Sequence, residues 1–166
     1  MGAQAHMEVI MSISASVKDY LDREDVRYEV IAHSPTKDSA RTAQAAGVPG
    51  DQLAKAVVLE DDSGYLMAVV PATHKLDMQA LDRELNREFT LASEREVAEL
   101  FKDCELGAIP PLGRAYGIDT VVEQSLGHTP HVYFEAGDHS SLIHVSGAAF
   151  RRLMADSPHR HISHHT

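Results

Sequence analysis

A mixed α/β fold, one sheet of mixed strand spacing flanked by helices, is predicted by three observations. Short apolar, β-branched runs alternate with helix-period stretches along the whole chain. The strand runs have uneven spacing, two of them joined as a hairpin and others separated by helices, which argues against a regular doubly wound sheet. The run Leu53-Ala54-Lys55-Ala56-Val57-Val58-Leu59 has apolar residues on both faces, the pattern of a central, covered strand.

The elements follow in order. Ser16, with Asp19 three residues on, is the expected cap of a first helix whose apolar face is Val17, Tyr20 and Leu21. Tyr28 to Ile31 reads as a short strand. Ser39 to Ala46 is alanine-rich and helical, stopped by Gly47 and Pro49. Lys55 to Leu59 and Tyr65 to Val70 form a hairpin around Glu60-Asp61-Asp62-Ser63-Gly64. Leu76, Ala80, Leu81 and Leu85 recur at helical spacing and predict a helix from about Asp77 to Asn86. Ser93-Glu94-Arg95-Glu96 is a capping-box sequence, and the helix behind it carries Val97, Leu100 and Phe101. A long loop holding Gly107 to Gly113 comes next. Strands are expected around Thr120 to Val122, His131 to Phe134 and Leu142 to Val145. A closing helix, Ala148 to Met154, has Phe150 and Leu153 to bury. Residues 14–155 thus form one domain, with 1–13 and 156–166 expected as loosely held ends.

Composition narrows the function classes. The 166 residues suffice for one substantial core, and an apolar fraction of 43% is ordinary for a globular chain. No apolar run is long enough to span a bilayer, so no membrane partner is expected. Cys104 is the single cysteine, which excludes an internal disulfide and fits a reducing cytoplasm. Fifteen basic against twenty-five acidic residues give a net charge of -10. That balance argues against broad contact with nucleic-acid backbone, and DNA is not an expected partner. A local basic patch around one pocket remains compatible with it, with Lys55, Lys75, Arg83 and Arg114 as candidate contacts.

Two features carry candidate chemistry. Lys55 shares a strand face with Val57 and Leu59, and an ammonium group is rarely buried without a partner. It either reaches solvent at the strand end or serves something in a cavity. The loop Gly107-Ala108-Ile109-Pro110-Pro111-Leu112-Gly113 combines glycines and prolines, so it can approach a ligand closely and stay rigid. It lacks the lysine of a phosphate loop, and the same residues also suit a plain connection. Eleven histidines invite a metal hypothesis. Their spacing has no HExxH pattern and no cysteine partner, so neither metal nor other cofactor is expected.

Taken together, these segments resemble one family. Lys55 in Asp-Gln-Leu-Ala-Lys-Ala-Val-Val-Leu, Val70-Pro71, Leu76-Asp77, the Gly107 to Gly113 loop, Val132-Tyr133 and Ala136-Gly137 occur in the order seen in the YbaK/ProX family of aminoacyl-tRNA deacylases. That family includes the editing domain inserted in bacterial prolyl-tRNA synthetases. The resemblance implies a partly closed mixed sheet or barrel flanked by helices. It implies hydrolysis of the ester of tRNA carrying a wrong amino acid, in trans. Lys55 matches the family's strand lysine, and Gly107 to Pro111 match its GxxxP loop, so Lys55, Gly107 and Pro111 are the expected catalytic positions. Ala108, Ile109 and Pro110 would shape the aminoacyl pocket. Gly137-Asp138-His139 has the spacing at which alanine-clearing members place a pocket histidine, so Gly137 and His139 are expected to bind substrate. Leu142 stands where cysteine-clearing members carry an acidic residue, which points to an alanine-like substrate. The implied chemistry uses the free ribose hydroxyl to activate a water, with Lys55 as a positioning cation. The implied partners are the acceptor end of an aminoacyl-tRNA, tRNA-Pro among the candidates, and an aminoacyl-tRNA synthetase. The other readings are a silent binding module of the same fold and a small-molecule hydrolase.

Overall fold

Burial on both faces puts residues 64–71 at the middle of the sheet. Met67 and Val69 point to one side and Leu66, Ala68 and Val70 to the other, and none is more than 3% exposed. The structure, a computed structural model, describes residues 13–36 and 38–166. Its elements in chain order are α1 (Ala15–Arg23), β1 (Glu29–Ala32), α2 (Ser39–Ala46), β2 (Leu53–Asp61), β3 (Gly64–Pro71) and β4 (His74–Leu76). After these come α3 (Met78–Leu85), β5 (Thr90–Leu91), α4 (Glu94–Leu100), β6 (Asp119–Glu123), β7 (His131–Glu135), β8 (Ser141–Ser146), α5 (Gly147–Leu153), β9 (His159–Arg160) and β10 (Ser163–His165).

The main sheet is mixed, in the order β1-β8-β7-β2-β3-β6-β9, with β5 attached to β2. The pairs β1/β8, β7/β8 and β2/β3 are antiparallel, while β2/β7, β3/β6 and β6/β9 are parallel. The sheet does not close into a barrel, because β1 and β9 remain its two edges. One face packs Met67, Val69, Val122, Phe134, Ile143, Phe150 and Leu153 into the larger core. The opposite face packs Leu59, Leu66, Ala68, Val70 and Val121 against Leu81 of α3. Beside it, Leu53 and Leu142 pack on Ala43 of α2.

The local signals explain most of these elements. Helix α2 ends at Gly47 in the left-handed region, φ +70°, where a glycine carries no Cβ penalty. Ser93 and Glu96 form the reciprocal capping box of α4. Asp77 caps α3 by accepting from the Ala80 N–H.

Two expectations are corrected. The cap of α1 is Ser14 and not Ser16. The Ser14 hydroxyl accepts from the Val17 N–H at 3.2 Å and is itself held by Asp103 and Tyr116, which leaves Ser16 inside the first turn. The C-terminal end is not loose: β9 joins the main sheet beside β6, and β10 pairs with β4. The cause is Glu123, 1% exposed, whose Oε1 accepts from the N–H groups of Ile162 and Ser163 at 2.9 Å and from the Ser163 hydroxyl at 2.8 Å. Ile162 is fully buried in the second core, so the tail is held by a polar clamp and an apolar plug together. The expected loose start, 1–13, lies outside the described residues except for Ile13, which is buried.

Candidate functional site

The site begins where a central strand loses one neighbour. Along one edge β2 pairs with β3 from Ala54 to Asp61. Along the other it pairs with β7 only at Leu53 and Ala54, and with β5 only at Leu59 and Glu60. Between these, residues 55–57 face an opening on that edge. Alternate residues of a strand direct their N–H and C=O to the same edge. The Val58 carbonyl accepts from Ala92 on the β5 side at 3.0 Å, so Ala56 presents its own backbone pair to the opening.

A cavity of about 220 Å³ fills this opening. Lys55, Ala56 and Val58 form its β2 wall, Leu106, Gly107 and Ile109 its loop wall, and Glu135 of β7 stands in it. Ala92, Glu94 and Val97 close the side toward α4, and Ser39 the side toward α2. Most of the lining is apolar, with one cation and one buried carboxyl among it.

Lys55 is half-buried, and its ammonium donates to the His74 carbonyl at 2.7 Å. Burial lowers its pKa from the ordinary lysine value. An ammonium has three donors, so the His74 bond leaves capacity for a ligand.

Glu135 is a site residue that the sequence reading did not single out. The β2/β7 register pairs Leu53 with Tyr133 and Ala54 with Phe134. Lys55 and Glu135 are therefore the first residues past the point where the two strands part, on the same face of the sheet. Glu135 is 5% exposed, and its Oε2 has no hydrogen-bond partner among the described residues. Burial pushes its carboxyl up to about 8, with the Thr42 hydroxyl working against this and the Asp138 carboxylate adding to it. Near neutrality, the protein's own surroundings thus leave Glu135 mostly protonated. The available sequence signal was the one used for Lys55, a charge closing an apolar strand.

A stability prediction follows from that shift. The folded pKa lies above the ordinary 4.5, so between these values the folded chain holds a proton that the unfolded chain has lost. Stability from this group therefore falls as pH rises from about 4.5 to about 8. Glu135→Gln, neutral throughout, is expected to flatten that decline, raising Tm at pH 8 relative to wild type by about several degrees. Thermal melts of both proteins at pH 5 and pH 8 check it; parallel declines would refute it.

Among the other expected site residues, Gly107 and Ile109 line the cavity with Lys55, whereas Ala108, Pro110 and Pro111 are buried behind it. Gly107 has φ +84°, a conformation that favours glycine and turns the loop toward the opening. Gly137 and His139 are not in the cavity wall. They act on the loop from behind: the Gly137 carbonyl accepts from the Glu105 N–H at 2.8 Å, and His139 Nε2 lies 3.8 Å from the Glu105 carboxylate. Of the candidate surface cations, Arg114 is paired with Asp156, while Lys75 is exposed on β4 next to His74. Among the described residues no three His, Cys, Asp or Glu side chains are grouped to hold a metal ion, and no helix is long and apolar enough to cross a membrane.

Residues 33–153 match the family described as the aminoacyl-tRNA editing domain. The chain belongs to this family. Its fold is shared with solved structures at low identity. The hypothetical protein APE2540 superposes with a TM-score of 0.79 at 22% identity, covering 90% of this chain and 99% of that one. A candidate trans-editing enzyme for prolyl tRNA synthetase gives 0.78 at 20% identity, over 90% of this chain and 95% of that one. A candidate signal transduction protein from Marinobacter aquaeolei VT8 gives 0.75 at 22% identity, covering 89% of this chain but 30% of that one. Comparison with curated proteins finds no match. Within the editing-domain family, the resemblance expected from Lys55 and the Gly107 loop is shown at the level of family and fold, and the cavity between β2 and that loop is the place to look for chemistry.

Proposed function

We propose that this editing domain is a trans-acting aminoacyl-tRNA deacylase that clears tRNA charged with a small, alanine-like amino acid. The observation that carries the reading is the cavity at the β2/β7 divergence, which brings Lys55, the Ala56 backbone edge and the Gly107 loop around one small volume in a chain of this family. A volume of about 220 Å³ suits an aminoacyl group and part of a ribose, not a whole nucleotide chain.

In this reading the terminal adenosine lies against Lys55, whose ammonium holds the phosphate or ribose end. The ester carbonyl faces backbone N–H groups that stabilise the oxyanion as it forms. The neighbouring free ribose hydroxyl orients the attacking water. The bond between acyl carbon and ribose oxygen breaks, the ribose oxygen takes up a proton, and the amino acid leaves as its carboxylate. Lys55 is a positioning cation, since a lysine with even a lowered pKa remains a better phosphate contact than a base near neutrality. The net charge of -10 confines contact with tRNA to the acceptor end and leaves room for a synthetase to deliver it.

The experiment is a deacylation screen against a panel of mischarged tRNAs, alanyl-tRNA-Pro included. Clearance of small aminoacyl groups above the uncatalysed rate is expected, and no clearance of any of them removes the reading. His139 is proposed to act on specificity through Glu105 and the loop. His139→Ala is expected to leave a working catalyst whose preference for alanyl over larger aminoacyl esters falls about tenfold, the low end of the scale for one methylene. The ratio of kcat/KM values on one tRNA measures this, and an unchanged ratio would separate His139 from specificity.

A further inference from the structure

We infer that Glu135 is the receptor for the α-ammonium group of the aminoacyl ester, which makes the cavity a site for substrates with a free amine. The inference rests on the deacylase reading for the identity of its substrate, but its structural basis is independent of any catalytic step.

A carboxyl at 5% exposure with an oxygen lacking any partner among the described residues is a costly arrangement in a folded protein. A ligand or a water in the adjoining space accounts for such a group, and this one stands in a cavity wall. Among the described residues no cation pairs with it. Lys55, which the strand register places beside it, gives a hydrogen bond to the His74 carbonyl instead. The ammonium and the carboxyl are thus presented separately, and a ligand that satisfies both needs an anionic or hydroxyl-rich end and a cationic end a few bonds apart. An aminoacyl ester on a terminal adenosine has that pattern, with ribose and phosphate on one side of the scissile carbonyl and one ammonium on the other.

The remaining geometry agrees. Ala56, Val58 and Ile109 are apolar and contribute no competing side-chain acceptor. The other carboxylate of the lining, Glu94, is exposed at the start of α4, where water already satisfies it. Protonation of Glu135 avoids an uncompensated buried charge, and an arriving ammonium supplies the partner that lets it ionise. The same contact would hold the amine at a fixed distance from the ester carbonyl, so the side chain on the α-carbon would be measured against the apolar wall.

The test uses two non-hydrolysable probes, 3′-amino-3′-deoxyadenosine carrying alanine or lactic acid in amide linkage through the 3′ nitrogen. They differ only in an ammonium against a hydroxyl. Calorimetry is expected to show that wild type prefers the alanyl probe by about tenfold or more, the scale of one charge-assisted hydrogen bond. Glu135→Gln and Glu135→Ala are expected to bring that preference within about twofold while keeping wild-type affinity for the lactyl probe, which shows that the cavity is intact. A variant that keeps the preference overturns the inference. So does a wild type with no preference or no binding of either probe, or a preference abolished by Glu94→Gln instead. Because the probes are not turned over, ammonium recognition through Glu135 in a protein that clears no charged tRNA would leave this inference standing and remove only the deacylase reading.

Discussion

Lys55→Ala is expected to fold as wild type does and to lose deacylation of mischarged tRNA by about a hundredfold or more. The magnitude is that of removing a group that orients a substrate rather than one that binds it uniformly. The fold should survive because the side chain is half-buried and its one hydrogen bond, to the His74 carbonyl, has a net worth of about 2 kcal/mol, well below the stability of an ordinary domain. Single-turnover rates on alanyl-tRNA, with a thermal melt beside them, separate the two effects. Lys55→Arg keeps the charge but replaces a compact ammonium with a planar fork and should recover only part of the rate. The pH profile is a further check. Burial lowers the Lys55 pKa, so the charged form is lost at a lower pH than for an ordinary lysine, and the basic limb of wild-type activity should fall correspondingly early. Clearance by Lys55→Ala at the wild-type rate would mean that the cavity is not the site.

The largest expected effect on stability is at Glu123. Glu123→Ala removes the acceptor for two buried backbone N–H groups and one hydroxyl, and should cost about 2–4 kcal/mol. For a chain of this length that is a Tm lower by about 5–15 °C. Burial pushes the Glu123 carboxyl up, but the hydrogen bonds from Ser163, Ile162 and Ser125 outweigh it and hold the pKa below the ordinary value. A carboxyl depressed in the folded state stabilises above its unfolded pKa, and that contribution is lost as pH falls through the folded one. Wild type should therefore release residues 159–165 to protease in acid, and Glu123→Ala should release them already at neutral pH. Equal melting temperatures and equal protease resistance would show that Ile162 alone holds the tail.

The two predictions lie on opposite sides of what a sequence can report. Local chemistry determined much of this protein directly. The hairpin of β2 and β3, the αL glycine that stops α2, the capping box at Ser93 and Glu96, and the central place of the Lys55 strand are written in residues close together in the chain, whose interactions form without reference to the rest of the molecule. The half-buried Ser16, two residues past the buried Ser14, already shows the limit: which serine caps was decided by Asp103 and Tyr116, far along the chain. Tertiary structure alone completed the site around Lys55 and the Gly107 loop. Glu135 became a cavity residue because β2 and β7 are parallel neighbours with Ala54 opposite Phe134, and a shift of one residue would have sent it to the other face. The opening exists because β7 and β5 each claim only one end of β2. His139 reaches the loop only through Glu105, and the tail is ordered only through Glu123. Each of these depends on strand register, which the packing of the whole core selects, so no pattern confined to one segment could have announced which residues would meet.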